Sequence, residues 1–406
     1  MNQSLLKSNS KFLKIWLANL FSNFSVIFYE IAVVWYVVAT TNSALAAGGI
    51  SLALLLGGVF GSILIGQKID QYPTRNLMIL LGILRLLILV AFILIIGLNL
   101  SNPSVFYLIS FIFSGINAAY GVARAKSVPE VVVQASIAEA NALEGVSASI
   151  VRIASWGLGG IAITMFSLPI ALAITIMGLL VALMFLFITP WESKMAQELK
   201  STTTLGVADG LKIIKNHANV KRVITAEILF YLLMGFLWVA FPIRVAEIGD
   251  GLLYGLHGVA FGVGYFITSL MLGAKMKKQH QNPKIGRLYL IGFIIYALGN
   301  VVLTFTMLPW IFLIGLFISG LGTTYWSTFR MTIFHTTVPT KEIGKVFSVF
   351  DSAVTAVQLP GFILGGILVD TLGTGPVMGL VAILQIVPLV LVAAKKSLVT
   401  YQERVI

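Results

Sequence analysis

The sequence predicts an all-α integral membrane protein, twelve transmembrane helices arranged as two pseudo-symmetric six-helix bundles. Three observations carry that reading. Hydrophobic residues make up 58% of the 406 residues, charged residues only 10%, and the mean hydropathy is +0.98; soluble domains average about 25% charged. Twelve apolar stretches are each long enough to cross a bilayer, which takes about 20 residues of helix. The second half of the chain repeats features of the first. A soluble enzyme, a disordered chain and a β-barrel are excluded, the last because the apolar runs are continuous rather than alternating.

The twelve stretches are 12–39, 43–68, 76–98, 103–127, 140–166, 169–190, 221–247, 251–275, 285–307, 309–333, 343–369 and 373–394. The first is too long for a signal peptide and no small-residue cleavage site follows it, so it is expected to stay as a span. Cysteine is absent, which excludes disulfide and thiolate chemistry.

Span 1 carries Asn19, Asn23 and Glu30 at spacings of four and seven, hence on one helical face. Glu30 lies 16 residues beyond Lys14, about 24 Å along a helix, in the outer half of the bilayer. An ionised group at the bilayer centre costs at least about 2.5–3.5 kcal/mol, so Glu30 is expected to face a polar cavity, where it would load and release a proton or hold a cation. The other reading is a structural acid paired with a neighbouring helix. Spans 2 and 8 contain the small-residue runs Gly57, Gly58, Gly61 and Gly258, Gly262, Gly264, read as close helix contacts. Span 3 is apolar apart from Arg85, read as structural. Span 4 holds Tyr120 and ends at Arg124.

Span 5 places Asn141 and Arg152 on one face, with Glu144 and Ser155 on its flank. Arg152 is too deep to snorkel easily. It either binds an anionic group or tunes a cavity carboxyl, or it pairs with Glu144 two turns away. Span 7 has Glu227, Tyr231 and Trp238 on one face, with Arg222 the expected partner of Glu227. Span 8 opens with His257, read as a surface histidine. Span 10 holds Tyr325 and Trp326 and ends at Arg330; like Arg124, Arg330 reads as an inner-side anchor or gate partner. Span 11 sets Ser348, Asp351, Thr355 and Gln358 at helical spacing, Asp351 being a gate residue or a plain helix N-terminal acid. Trp156, Trp238 and Trp326 fall inside spans, where they stack on substrate or simply pack; Tyr29, Tyr120 and Tyr325 share that ambiguity. Spans 6 and 12 are nearly featureless, with Thr175 and Gln385 their main polar residues. Pro242, Pro360 and Pro388 are expected kinks.

Charge sets the orientation. The net charge is +12, and of the 27 Lys and Arg all but Arg85, Arg152 and Arg244 fall on one side of this topology, in the even-numbered loops and both termini. The positive-inside rule puts both termini in the cytoplasm, as an even number of spans requires. This placement argues for a membrane rather than nucleic acid.

The repeat has a nearly constant offset. Ser114 to Tyr120 recurs as Ser319 to Tyr325, offset 205; Gly157 to Gly160 recurs at Ile363 to Gly366, offset 206; Ser62 to Lys68 recurs as Ser269 to Lys275, offset 207. Arg152 then corresponds to Gln358. The predicted domains are an N-terminal bundle, 1–190, a cytoplasmic linker, 191–220, and a C-terminal bundle, 221–406. Parallel halves of six spans are typical of transporters.

On these residues the chain resembles the major facilitator superfamily over essentially its whole length, and most closely the branch of macrolide-efflux and siderophore-export proteins. Ser127-Val128-Pro129-Glu130 with Ala138 to Leu143 looks like that branch's stretch between helices 4 and 5; Gly210 to Asn216 looks like its central-loop helix; Val338-Pro339 with Gly344 to Ser348 looks like its helix 10–11 loop. The superfamily's helix 2–3 loop motif is present as Gly66, Asp70 and Arg75, with Gln71 and Pro73 departing from it. The resemblance implies that this motif latches the cytoplasmic gate, and that spans 3, 6, 9 and 12 are peripheral. Two patterns of proton-driven drug exporters are altered: Phe111 stands where helix 4 has an arginine, and Ser155-Trp156 stand where helix 5 has Gly-Pro.

The expectation is therefore a transporter in a bacterial cell membrane and not an enzyme: a secondary active, proton-coupled exporter of a small amphipathic compound, working as a monomer by alternating access. Its partners would be that compound, protons and membrane lipids, with no cofactor. An importer or lysolipid flippase of the same fold, and a non-transporting membrane sensor or immunity protein, are the alternatives. No phosphate-binding loop indicates an ATPase, and His217, His257, His280 and His335 are too scattered to form a metal motif.

Overall fold

A computed structural model describes residues 5–66, 72–98, 102–133, 136–191, 207–278, 284–339 and 342–394. Every element among the described residues is a helix. They are α1 (Leu5–Ser8), α2 (Ser10–Thr41), α3 (Ala44–Gly66), α4 (Thr74–Gly97), α5 (Pro103–Val131), α6 (Ile137–Met165), α7 (Leu168–Phe187), α8 (Val207–Asn216), α9 (Ala218–Ile248), α10 (Gly251–Lys278), α11 (Ile285–Phe305), α12 (Pro309–Thr337), α13 (Ile343–Leu372), α14 (Thr374–Leu384) and α15 (Ile386–Ala393). Among the described residues twelve spans are long and apolar enough to cross a membrane, with α14 and α15 together forming the last.

Local chemistry sets the ends. The Asn9 side chain accepts the Phe12 N–H at 3.0 Å, capping α2, and donates to the Val131 carbonyl at 2.8 Å, tying the start of α2 to the end of α5. At the far end Asn42 takes a left-handed backbone, φ 48°, a conformation asparagine tolerates better than most residues. Pro103, Pro169 and Pro309 sit in the first turns of α5, α7 and α12, where a missing N–H costs nothing. Pro242 and Pro360 lie within unbroken α9 and α13. Pro388 coincides with an interruption: α14 stops at Leu384, the residue whose carbonyl Pro388 has no N–H to bond.

The chain forms two compact units, one of Met1–Asn42 with Gly49–Lys200, the other of Ser43–Gly48 with Ser201–Ile406. In the first, α2 packs on α6 and α7, and α4 on α5 and α7. Gly57 and Gly61 of α3 lie so close to α5 that a methyl on either would run into the carbonyls of Phe111 and Gly115. In the second unit α9 packs on α13, and α12 on α10 and α11. There Gly264 of α10 meets the Phe317 carbonyl and Gly320 of α12 meets that of Phe261. The two halves thus repeat one contact, Gly57 against Phe111 and Gly264 against Phe317, within a residue of the sequence offset. The small-residue runs are helix interfaces, as expected.

The second unit's core is aromatic. Phe230 lies edge-on to Phe293, Tyr296 and Trp326, with centroids 4.8–5.1 Å apart. Outward-facing positions such as Leu94, Leu108, Met177 and Leu298 are large, apolar and exposed. In a soluble protein they would form aggregating patches; here they form the lipid-facing surface.

Candidate transport-site residues

In the first unit the polar face of α2 is the organising element. Asn19 is fully buried and its Nδ2 donates to Glu144 Oε1 of α6 at 3.0 Å. Glu144 is therefore held by Asn19, and no ion pair joins it to Arg152. Asn23 accepts from Arg124 Nη1 of α5 at 2.9 Å. Glu30, further along, is half-buried; among the described residues it makes no hydrogen bond and no ion pair within 4.0 Å, and the charge it feels most is that of Arg152. Arg152 and Asn141 are exposed. Tyr29, next to Glu30, is sealed against Ser110 Oγ at 3.0 Å and packs on Phe113 with the rings tilted by 40°.

Arg85 is deeper than its reading as an isolated structural arginine implies. It is 1% exposed, Nη1 donates to Ser22 Oγ at 2.9 Å and to Asn117 Oδ1 at 3.1 Å, and its guanidinium lies 3.9 Å above the Tyr120 ring. Tyr120 is thus engaged with Arg85 rather than open for stacking.

The second unit holds a matching cluster. Glu227 is fully buried, and its partner is Arg330 of α12 at 2.6 Å rather than the expected Arg222. Five residues along α9 place Arg222 about 140° around the helix from Glu227, and a lateral neighbour from another helix reaches the carboxylate instead. Tyr289 of α11 donates to Glu227 Oε1 at 3.0 Å, and Arg330 lies within 3.5 Å of the Tyr231 hydroxyl. The Arg330 guanidinium also sits over Phe350 and Trp326, 4.9 and 5.4 Å from the ring centroids. Trp326 is buried in the aromatic core, Tyr325 packs on Phe329, and Trp238 is 47% exposed. Asp351 is exposed and Gln358 half-buried, its backbone carbonyl close against Gly235.

Of the latch motif, Asp70 lies outside the described residues. Gly66 ends α3, and Arg75 donates through Nε to Thr189 O at 2.9 Å and through Nη2 to Phe187 O at 3.0 Å. A cation on the free carbonyls of α7's last turn is favourable. His257 is not a surface histidine: in the second turn of α10 it is 7% exposed, with Nδ1 2.6 Å from the carbonyl of Tyr254, a buried residue one turn earlier.

Sequence reasoning did not single out Ser22, Asn117, Tyr289 or Asp370. The repeat held the clue to two clusters, since Ser22 lies 205 residues before Glu227 and Arg124 lies 206 before Arg330. Asp370, at the end of α13, accepts from Ala44 N at 2.6 Å, Ser43 Oγ at 2.8 Å and Leu45 N at 3.0 Å. A carboxylate there adds a second cap to a helix start where Ser43 Oγ already accepts the Ala46 N–H at 3.2 Å. Arg244 is likewise structural: 4% exposed, it joins Glu247 at 3.0 Å and the Thr306 carbonyl at 2.9 Å, clamping the end of α9 to the α11–α12 turn.

Twelve helices with polar residues concentrated on a few of them fit a transporter fold, and comparison with known proteins decides the family. A family model described as transmembrane secretion effector matches residues 6–403. The chain belongs to this family of the major facilitator superfamily. It is similar to macrolide efflux protein A of Streptococcus pyogenes, 22% identical over 381 residues that cover 89% of this chain and 90% of that protein. Among solved structures, the nucleoside transporter NupG superposes with a TM-score of 0.74 at 13% identity, covering 95% of this chain and 98% of that one. A bacterial metal transporter gives 0.71 at 13% identity, covering 97% and 99%. At such identities these structures establish the fold, and the family establishes a transporter rather than an enzyme.

Proposed function

We propose that this secretion effector is a proton-coupled exporter of a small amphipathic compound, with Glu30 as the coupling carboxyl. The observation that carries the reading is the state of Glu30: an acid within a membrane helix that has neither hydrogen bond nor ion pair among the described residues, on the helix face that also bears Asn19 and Asn23. Glu227, by contrast, is committed to Arg330 and Tyr289. A membrane carboxyl without a fixed counter-ion is costly when ionised and is retained where it serves transport. The similarity to a macrolide efflux protein supports export, and the Lys and Arg distribution supports a cytoplasmic membrane location with both termini inside. On this reading the protein works as a monomer by alternating access between the two sides of the membrane.

The test is uphill accumulation of a radiolabelled macrolide and a panel of amphipathic dyes in everted, energised vesicles, with proton movement followed in parallel. Glu30→Gln keeps the shape of the protonated acid. It is expected to abolish accumulation and substrate-induced proton movement at unchanged protein level. A Gln variant that still concentrates substrate and still moves protons overturns the assignment. Substrate moving only in the opposite direction would make the protein an importer or flippase.

A further inference from the structure

Each unit contains the same three-helix polar junction, but with opposite charge arithmetic. In the second unit the residue on the leading helix is an acid: Glu227 of α9 receives Tyr289 from α11 and Arg330 from α12. In the first unit the equivalent helices bring two cations onto neutral acceptors: Arg85 from α4 reaches Ser22, and Arg124 from α5 reaches Asn23, both on α2. The guanidiniums of Arg85 and Arg124 are close enough to feel one another's charge. No carboxylate lies within 4.0 Å of either among the described residues; Glu144 is occupied by Asn19, and Glu30 faces the charge of Arg152. Arg85 Nε, buried, has no acceptor.

Arginine does not shed its proton to escape this, and a buried charge without a partner is costly unless something completes it. The Tyr120 face and two side-chain oxygens offset part of the cost, but they supply no negative charge. We propose that the Ser22–Asn23–Arg85–Asn117–Arg124 junction of the first unit is a binding subsite for the anionic group of the transported amphipath, a carboxylate, sulfonate or phosphate. Arg124 is the contact residue, because it is only half-buried and its Nη1 is held by a single asparagine. Arg85 lies behind it and positions Asn117 while adding to the local positive potential. The subsite names a substrate class for the exporter proposed above and rests on that reading for the word transported; the binding itself does not depend on direction or coupling.

The experiment compares two fluorophores on the full-length protein in phosphatidylcholine nanodiscs: 1-anilinonaphthalene-8-sulfonate and N-phenyl-1-naphthylamine, one ring system with and without an anionic group. Binding is read by energy transfer from tryptophan. The wild type is expected to prefer the sulfonate at least tenfold. Arg124→Gln should remove the preference and leave the neutral probe unchanged, and Arg124→Lys should restore part of it. Asn23→Asp, which installs in the first unit the counter-ion that Glu227 supplies in the second, should also remove it; this near-isosteric variant serves if Arg124→Gln does not fold. Equal affinity for the two probes, or a preference that survives both variants, overturns the proposal. Loss of sulfonate binding when phosphatidylglycerol replaces phosphatidylcholine, dependent on Arg124, would assign the site to a lipid headgroup and overturn the substrate assignment. Failure of the vesicle efflux assay alongside intact sulfonate preference would remove the transport reading and leave the anion subsite standing.

Discussion

Arg330 and Glu227 meet at 2.6 Å between α12 and α9, the carboxylate fully buried and the guanidinium 13% exposed. Each holds the other in place: the carboxylate also receives Tyr289, and the guanidinium covers Trp326 and Phe350. Removing one partner from such a buried pair leaves an uncompensated charge, which typically costs about 3–5 kcal/mol. Arg330→Met is therefore expected to lower the melting temperature of the detergent-purified protein by many degrees. The double variant Glu227→Gln with Arg330→Met should recover much of that loss. Additive losses would show that the two residues act independently.

Asp370 is expected to contribute in proportion to its charge as well as its oxygens. It accepts two N–H groups and one hydroxyl at the start of α3, and deleting a helix cap costs about 0.5–2 kcal/mol. Asp370→Ala should raise amide exchange at residues 44–48 and lower thermal stability by roughly that amount. Asp370→Asn, which retains an acceptor but not the charge, should fall between. Exchange unchanged in both variants would deny the cap an energetic role.

Gly57 and Gly61 should be intolerant of the smallest side chain. A methyl at either meets a backbone carbonyl, of Phe111 or Gly115, that cannot move without shifting a helix. Gly57→Ala and Gly61→Ala are expected to lower the yield of folded protein several-fold by fluorescence-detected gel filtration. Gly121→Ala, with no atom within 4 Å of the added carbon, should be neutral or slightly stabilising, since alanine favours helix over glycine by about 0.5–1 kcal/mol.

The absence of cysteine makes the orientation directly measurable. Asn102→Cys and Met307→Cys, in exposed turns before α5 and before α12, should react with an impermeant maleimide on intact cells. Asn216→Cys, exposed at the end of α8, should react only after lysis. The reverse pattern would invert the topology drawn from the Lys and Arg distribution.

The helices were legible because their cause is linear: apolar length and the placement of Lys and Arg both act along the chain. The contacts that fix the site were less so. Glu227 reads as a neighbour of Arg222 because five residues separate them in sequence, whereas Arg330, 103 positions away, is the one that reaches it. Arg85 reads as isolated because its own span is apolar; its partners Ser22 and Asn117 lie on two other helices. His257 reads as a surface histidine because it lies near the start of a span, and only the packing of α10 buries it. A helical periodicity identifies which residues share a face, but says nothing about which face of another helix it meets.

The repeated contact of Gly57 with Phe111 and of Gly264 with Phe317 bears on ancestry. If one half-length gene was copied and joined to itself, both copies began with the same contacts and then drifted separately. A glycine pressed against a backbone carbonyl has no intermediate replacement, so drift at that position is blocked in either copy. A polar junction is different: Ser22 and Glu227 hold corresponding places in the repeat, one a hydroxyl and the other an acid, while donors arrive from the equivalent helices in both halves. The glycine contact is thus the part of each half that drift cannot reach, and the charge arithmetic beside it is where the two copies came to differ.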